Sequence, residues 1–140
     1  MSISNKISKE KNVIVRTVVG ELIGADMTSA FNKSISHPDF KKNMHVIWDL
    51  TKADISEASI DQIMNVVRYI ADNIDDRGED YKIIVVAPID ISFGISRMFG
   101  SYGGQLPVSI HIVRILDEAF ELIVKPLASE EEQKRFFKNS

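Results

Sequence analysis

The stretch YKIIVVA, residues 81–87, constrains the fold more than any other part of the chain. Successive strand residues face opposite sides of a sheet, so a half-exposed strand alternates apolar and polar positions. Ile83, Ile84, Val85 and Val86 do not alternate. The run is bounded by Gly78 and Pro88, which is too short a span for a helix, and it is β-branched throughout its middle. It therefore demands cover on both faces, the situation of a strand in a parallel sheet between helices. On this basis Tyr81 to Ala87 is predicted to be the centre of the sheet.

The rest of the chain supplies the other strands and the helices. VIVRTVV, residues 13–19, reads as a strand closed by Gly20, and Ser4 to Ile7 as a short partner joined to it through the KEKN turn. Met27, Phe31 and Ile35 recur at a spacing of four, which predicts a helix over 25–35 ended by Pro38. MHVIWDL, residues 44–50, is a strand, and TKADISEAS a loop. Ser59 and Gln62 have capping-box spacing before a helix over 60–74. Its stripe is Ile60, Ile63, Met64, Val67, Ile70, Ala71 and Ile74, and residues 75–78 form the turn out. Ser92 is placed as the cap of a helix from Phe93, whose inward side chains are Ile95, Met98, Phe99 and Tyr102. Gly103 and Gly104 are expected to turn with positive φ. A strand over 108–116 and a helix capped by Asp117 through Val124 complete the pattern. Strand and helix alternate, which predicts an α/β domain over residues 1–128 with a mixed four- or five-stranded sheet and crossover helices. A short helical extension over 129–140 follows.

Composition narrows the function classes. There are 140 residues, with 17 basic and 20 acidic side chains, and this balance gives no electrostatic reason to expect nucleic acid. The absence of cysteine excludes disulfides, thiolate chemistry and cysteine-ligated metal. The first residues lack the apolar stretch of a secretory leader, and no apolar run reaches the ~20 residues needed to cross a bilayer. A cytoplasmic protein without cofactor is expected.

Candidate chemistry gathers at the strand ends. Asp49 and Asp90 follow apolar strands, and ligands of open α/β sheets bind outside the carboxyl ends of strands. Trp48, Asp49, Asp90, Ser92 and Arg97 are thus the candidate crevice for a small apolar or anionic ligand, with Phe93 and Met98 as further apolar walls. The alternative is that both acids shape turns by accepting backbone N–H groups. Gly94, Gly100, Gly103 and Gly104 enrich one region but form no phosphate-binding signature. His37, His45 and His111 lack local metal-ligand spacing, and no catalytic triad can be assembled. Phe136 and Phe137, beside the charged EEEQKR, are expected to dock on their own chain or on a second copy, with a homodimer favoured.

The succession VVGEL, SHPDF, VIWDL, VVAPIDISFGISRMF and VRILDEAFELI, spread over residues 12–124, resembles the SpoIIAA-like family, with the STAS/SEC14-type α/β fold. The resemblance implies a regulatory or lipid-associated domain without enzymatic activity, and a regulatory protein as partner. In anti-sigma-factor antagonists of this fold a serine at a helix start is phosphorylated. Ser59 falls at that position, but Glu57, Ala58 and Ile60 stand around it where the family has its acid-serine-serine-glycine run. A helix cap is therefore the favoured role for Ser59. Lipid-transfer relatives enclose their ligand with additional helices, so here only a small pocket or groove is expected.

Overall fold

A computed structural model describes residues 2–22 and 24–124. The strands are β1 (Ser2–Ser8), β2 (Val13–Glu21), β3 (His45–Asp54), β4 (Lys82–Val86) and β5 (Ser109–Val113). They form one five-stranded sheet in the order β1-β2-β3-β4-β5. β1 is antiparallel to β2, and every later pairing is parallel. The helices are α1 (Gly24–Ile35), α2 (Ile60–Asp72), α3 (Ile74–Arg77), α4 (Asp90–Tyr102) and α5 (Leu116–Val124). The predicted mixed α/β sheet with crossover helices is the observed architecture. No helix among the described residues is long and apolar enough to cross a membrane.

Register sorts the side chains into two faces. Ile14 pairs with Val46 and Val46 with Ile83; one step along, Arg16 pairs with Trp48 and Trp48 with Val85. These residues share the face that α2 and α4 cover through Val66, Ile70, Ile95 and Phe99. Their neighbours Val13, Ile47, Ile84 and Val86 point the other way, against Leu116, Ala119, Phe120 and Ile123 of α5. Ile84 and Val86 are completely buried on that side, while Ile83 and Val85 are buried on the first. β4 thus has the two-sided cover its sequence requires. It is not central, however: β3 holds the middle position, because each new strand adds to the same edge.

Several other expectations are corrected. TKAD is not a loop but the last part of β3, where Leu22 N–H donates to the Asp54 carbonyl and prolongs the pairing with β2. Gly20 does not close β2; it lies within the strand at φ 88°, just after a register shift between Thr17 and Val19. Residues 74–77 form the short helix α3, not a turn. α4 begins at Asp90, so Ser92 lies inside it and its hydroxyl donates to the Ile89 carbonyl instead of capping. Met98 and Tyr102 are exposed on α4, and Ile60 and Ala71 on α2. β5 stops at Val113 and α5 starts at Leu116, which puts Asp117 within its first turn. Neither Gly103 (φ −86°) nor Gly104 adopts positive φ; a Cβ on Gly103 would come within 2.6 Å of the end of the Ile110 side chain and 3.1 Å of the Phe99 carbonyl. The extension 129–140 and the boundary at 128 lie outside the described residues.

Gly78 is a position where backbone geometry does require glycine. Its φ is 101° and its ψ −169°, a region essentially closed to other residues. A Cβ would also fall 2.1 Å from Asn43 Oδ1, an atom that accepts the Glu79 N–H. Gly78→Ala is expected to destabilise the domain by roughly 1–3 kcal/mol from backbone strain alone, with the steric clash adding to it. Urea unfolding of the two proteins measures this; an unchanged midpoint would contradict it.

Candidate functional site

The helical layer does not fill the space above its face of the sheet. A cavity of about 130 Å³ remains between the sheet and α1, α2 and α4. Protein interiors seldom leave voids much larger than a water molecule. A space of roughly this size, about 150 Å³ in an engineered example, accommodates benzene. Val46, Trp48 and Val85 form part of the floor, Phe31 and Val66 part of the wall. The lining is overwhelmingly apolar, so bulk water gains little by entering it.

Two arginines interrupt that apolar lining. Arg16 and Arg77 are each 1 % exposed, and both line the cavity. Arg16 rises from the middle of β2 on the same side as Ile14 and Val18. Its Nε donates to Asn5 Oδ1 (3.1 Å) and its Nη2 to Ser34 Oγ (2.9 Å). The Ser34 hydroxyl in turn donates to the Ala30 carbonyl, so the Arg16–Ser34 bond ties β2 to α1. The Arg16 guanidinium lies 4.8 Å from the Trp48 ring centroid and 5.5 Å from that of Phe31. Arg77 ends α3. Its Nη2 donates to the Met44 carbonyl, and its guanidinium stacks 3.9 Å from the Tyr81 centroid. Its Nη1 is buried and has no hydrogen-bond partner among the described residues.

Neither guanidinium meets a carboxylate among the described residues. The ion pairs there are Lys9–Asp39 and Arg114–Asp90, both on the surface. Burying an unpaired ion costs several kcal/mol even after relaxation. A cation–π contact returns about 0.5–2 kcal/mol, so the aromatic neighbours offset only part of that cost. Burial lowers the pKa of Arg16 to about 9, helped by repulsion from Arg77, and burial lowers that of Arg77 to about 10. The two charges thus share one low-dielectric region. Tyr81, whose hydroxyl is shifted upward by burial, feels both of them in the opposite direction.

The residues predicted to form a crevice are not brought together. Trp48 alone among them lines the cavity. Asp49 faces the α5 side, buried, and its Oδ1 accepts the Thr51 N–H (3.0 Å) and hydroxyl (2.6 Å). Asp90 is exposed at the start of α4 and pairs with Arg114 at 2.7 Å. Ser92 is buried within α4, and Arg97 points to solvent. Phe93 stacks on Arg114, 4.1 Å from centroid to guanidinium, and does not line the cavity. Ser59 is exposed and caps α2: its Oγ accepts the Gln62 N–H (3.2 Å) while Gln62 Oε1 accepts the Ser59 N–H (3.0 Å). Phe136 and Phe137 lie outside the described residues.

Arg16 carried a signal that periodicity could have caught, since Ile14, Arg16 and Val18 share one parity inside an apolar strand. Arg77 carried none: DDRG reads as a solvated turn. No group of three or more metal-ligating side chains occurs among the described residues. His37 Nδ1 accepts the Asp39 N–H, and His45 Nδ1 accepts the Lys82 N–H at 2.9 Å.

No family model and no curated protein matches the chain. Among solved structures, it is similar to an uncharacterised protein of the DUF3478 family with a SpoIIAA-like fold from Shewanella loihica PV-4. Sequence identity is 11 % and the TM-score 0.56, over 87 % of this chain and 92 % of that one. The likeness supports the SpoIIAA/STAS-like fold expected from the sequence.

The half-buried His45 gives a pH prediction. His45 has its pKa lowered by burial first, and then by Lys82 and Arg77. Below pH 6.5 the unfolded chain binds a proton that the folded chain resists, so stability falls as pH decreases through that window. His111, also lowered by burial and Lys82, acts in the same direction. His45→Asn retains an acceptor for Lys82 N–H without the titration. Denaturant unfolding between pH 7 and pH 5 is expected to show a shallower loss of stability for the variant. Equal slopes would assign the loss elsewhere.

Proposed function

We propose that this chain is a non-enzymatic interaction domain whose state is set by a small, largely apolar molecule held between the sheet and α1, α2 and α4. The observation that carries the reading is the cavity itself, unfilled within an otherwise dense core. Its chemistry supports binding over catalysis. No aspartate, glutamate or histidine lines it among the described residues, so it offers no ordinary general base. The acids favoured from the sequence, Asp49 and Asp90, are engaged elsewhere in turn and surface contacts. The site sits beneath the helices and reaches the carboxyl ends of β2 and β3 through Leu22, Leu50 and Ile55.

A regulatory partner fits beside this reading. Ile89, Ile91 and Ile115 are each more than half exposed near the carboxyl ends of β4 and β5. They frame the Asp90–Arg114 pair, an apolar surface with a polar centre. α4 reaches from that surface to the cavity, which it lines through Ile95, Ser96 and Phe99. A ligand that moves α4 would thereby alter the surface.

Trp48 lines the cavity and is the sole tryptophan of the chain, so its emission reports occupancy directly. Titration with toluene or 1-hexanol is expected to change that emission and to raise the melting temperature. Near a hundredfold excess over Kd the stabilisation is about 2.7 kcal/mol, roughly 5 °C or more. Val66→Phe, which fills the cavity from α2, is expected to abolish both responses. Neutral probes and carboxylates that all leave wild-type emission and melting unchanged would refute the reading.

A further inference from the structure

The geometry points to the class of ligand. Resting on the cavity as a binding site, we propose that it selects a small monocarboxylate, with an apolar body of benzoate or hexanoate size, whose carboxylate is held by Arg77 and Arg16. The apolar body follows from volume. About 130 Å³ admits one six-membered ring or a short chain within the half-open pocket. The anionic head follows from the arginines.

A guanidinium has five N–H donors, all in its plane. Arg77 has its face stacked on Tyr81, which leaves the in-plane edge for hydrogen bonds. On that edge only Nη2 has a described acceptor, the Met44 carbonyl. Nη1 is unpaired although the residue is 1 % exposed. Arg16 uses Nε and Nη2 on neutral oxygens, and no carboxylate among the described residues pairs with it. A chain with 20 acidic residues places none of those described against this cavity. Two cations with no carboxylate partner among the described residues therefore line one pocket. An anion entering it meets charge-assisted donors where water is scarce and each contact is strengthened.

A carboxylate fits better than a phosphate monoester. It carries one charge and two oxygens, which two partly engaged guanidiniums can satisfy. A phosphate brings close to two charges and three strong acceptor oxygens. The neutral polar side chains within the lining, such as Gln62 and Ser96, are too few to solvate the remainder in an apolar space.

The test compares matched ligands on the full-length chain at pH 7.5. Calorimetry and Trp48 emission are measured for benzoate against benzyl alcohol, and for hexanoate against 1-hexanol. The carboxylates are expected to bind roughly tenfold or more tightly than the alcohols. Arg77→Met is expected to bring benzoate affinity down to that of benzyl alcohol while leaving the alcohol unchanged. Arg77→Lys keeps the charge without the planar edge and should lose most of the preference. Should neither variant fold, the wild-type comparison decides alone. Alcohols that bind as well as the carboxylates overturn the anion assignment and leave the cavity reading intact. If nothing binds, both fall. Phenyl phosphate binding more tightly than benzoate would overturn the choice of carboxylate.

Discussion

The register of β2, β3 and β4 is the constraint on which the rest of the structure depends. It aligns Ile14, Val46 and Ile83 in one row and Arg16, Trp48 and Val85 in the next. A slip of one residue would exchange the two faces of a strand. Arg16 would then face α5 in place of the cavity, and the apolar residues under that helix would lose their cover. Because all three strands are buried, any such slip is strongly disfavoured. The position of the buried cation is therefore fixed by the sheet and not by local preference.

The two faces are built to different ends. Against α5 the packing is tight: Ile47, Ile84, Val86 and Ala119 are almost without exposure. The opposite layer has three helices and still leaves room beneath them. Both a void and an uncompensated buried charge are unfavourable. A domain stable by only about 5–15 kcal/mol carries such features when something else requires them. Both faces of the sheet bury an apolar cluster, and the face under α1, α2 and α4 also carries the features that a ligand would use.

The local pattern of the chain made much of this fold legible. The two-sided burial of β4 follows from IIVV, and the α2 start follows from Ser59 and Gln62, whose reciprocal hydrogen bonds are formed as expected. The hairpin of β1 with β2 was visible from the KEKN turn, though the paired length was not. Errors arose where tertiary pairing overrode local signals. TKAD has turn composition, yet β2 is long enough to extend β3 through it. Ser92 looks like a cap, but the helix begins earlier, at an aspartate that faces Arg114 across the surface. Trp48 and Asp49 are adjacent in a strand and so face opposite sides, and of the two only Trp48 lines the cavity.

The sequence by itself determined that this is an α/β sheet with helical crossovers, because periodicity and capping depend on residues only a few positions apart. It also determined that cysteine chemistry plays no part. Tertiary structure alone decided where the sheet centre lies, that the helices leave a cavity, and that Arg16 and Arg77 share it with no carboxylate among the described residues. Arg77 binds the Met44 carbonyl 33 residues away and stacks on Tyr81. Arg16 reaches Asn5 on β1 and Ser34 on α1. Whether a charged side chain is solvated or buried depends on which distant segments pack over it, and no local pattern carries that information.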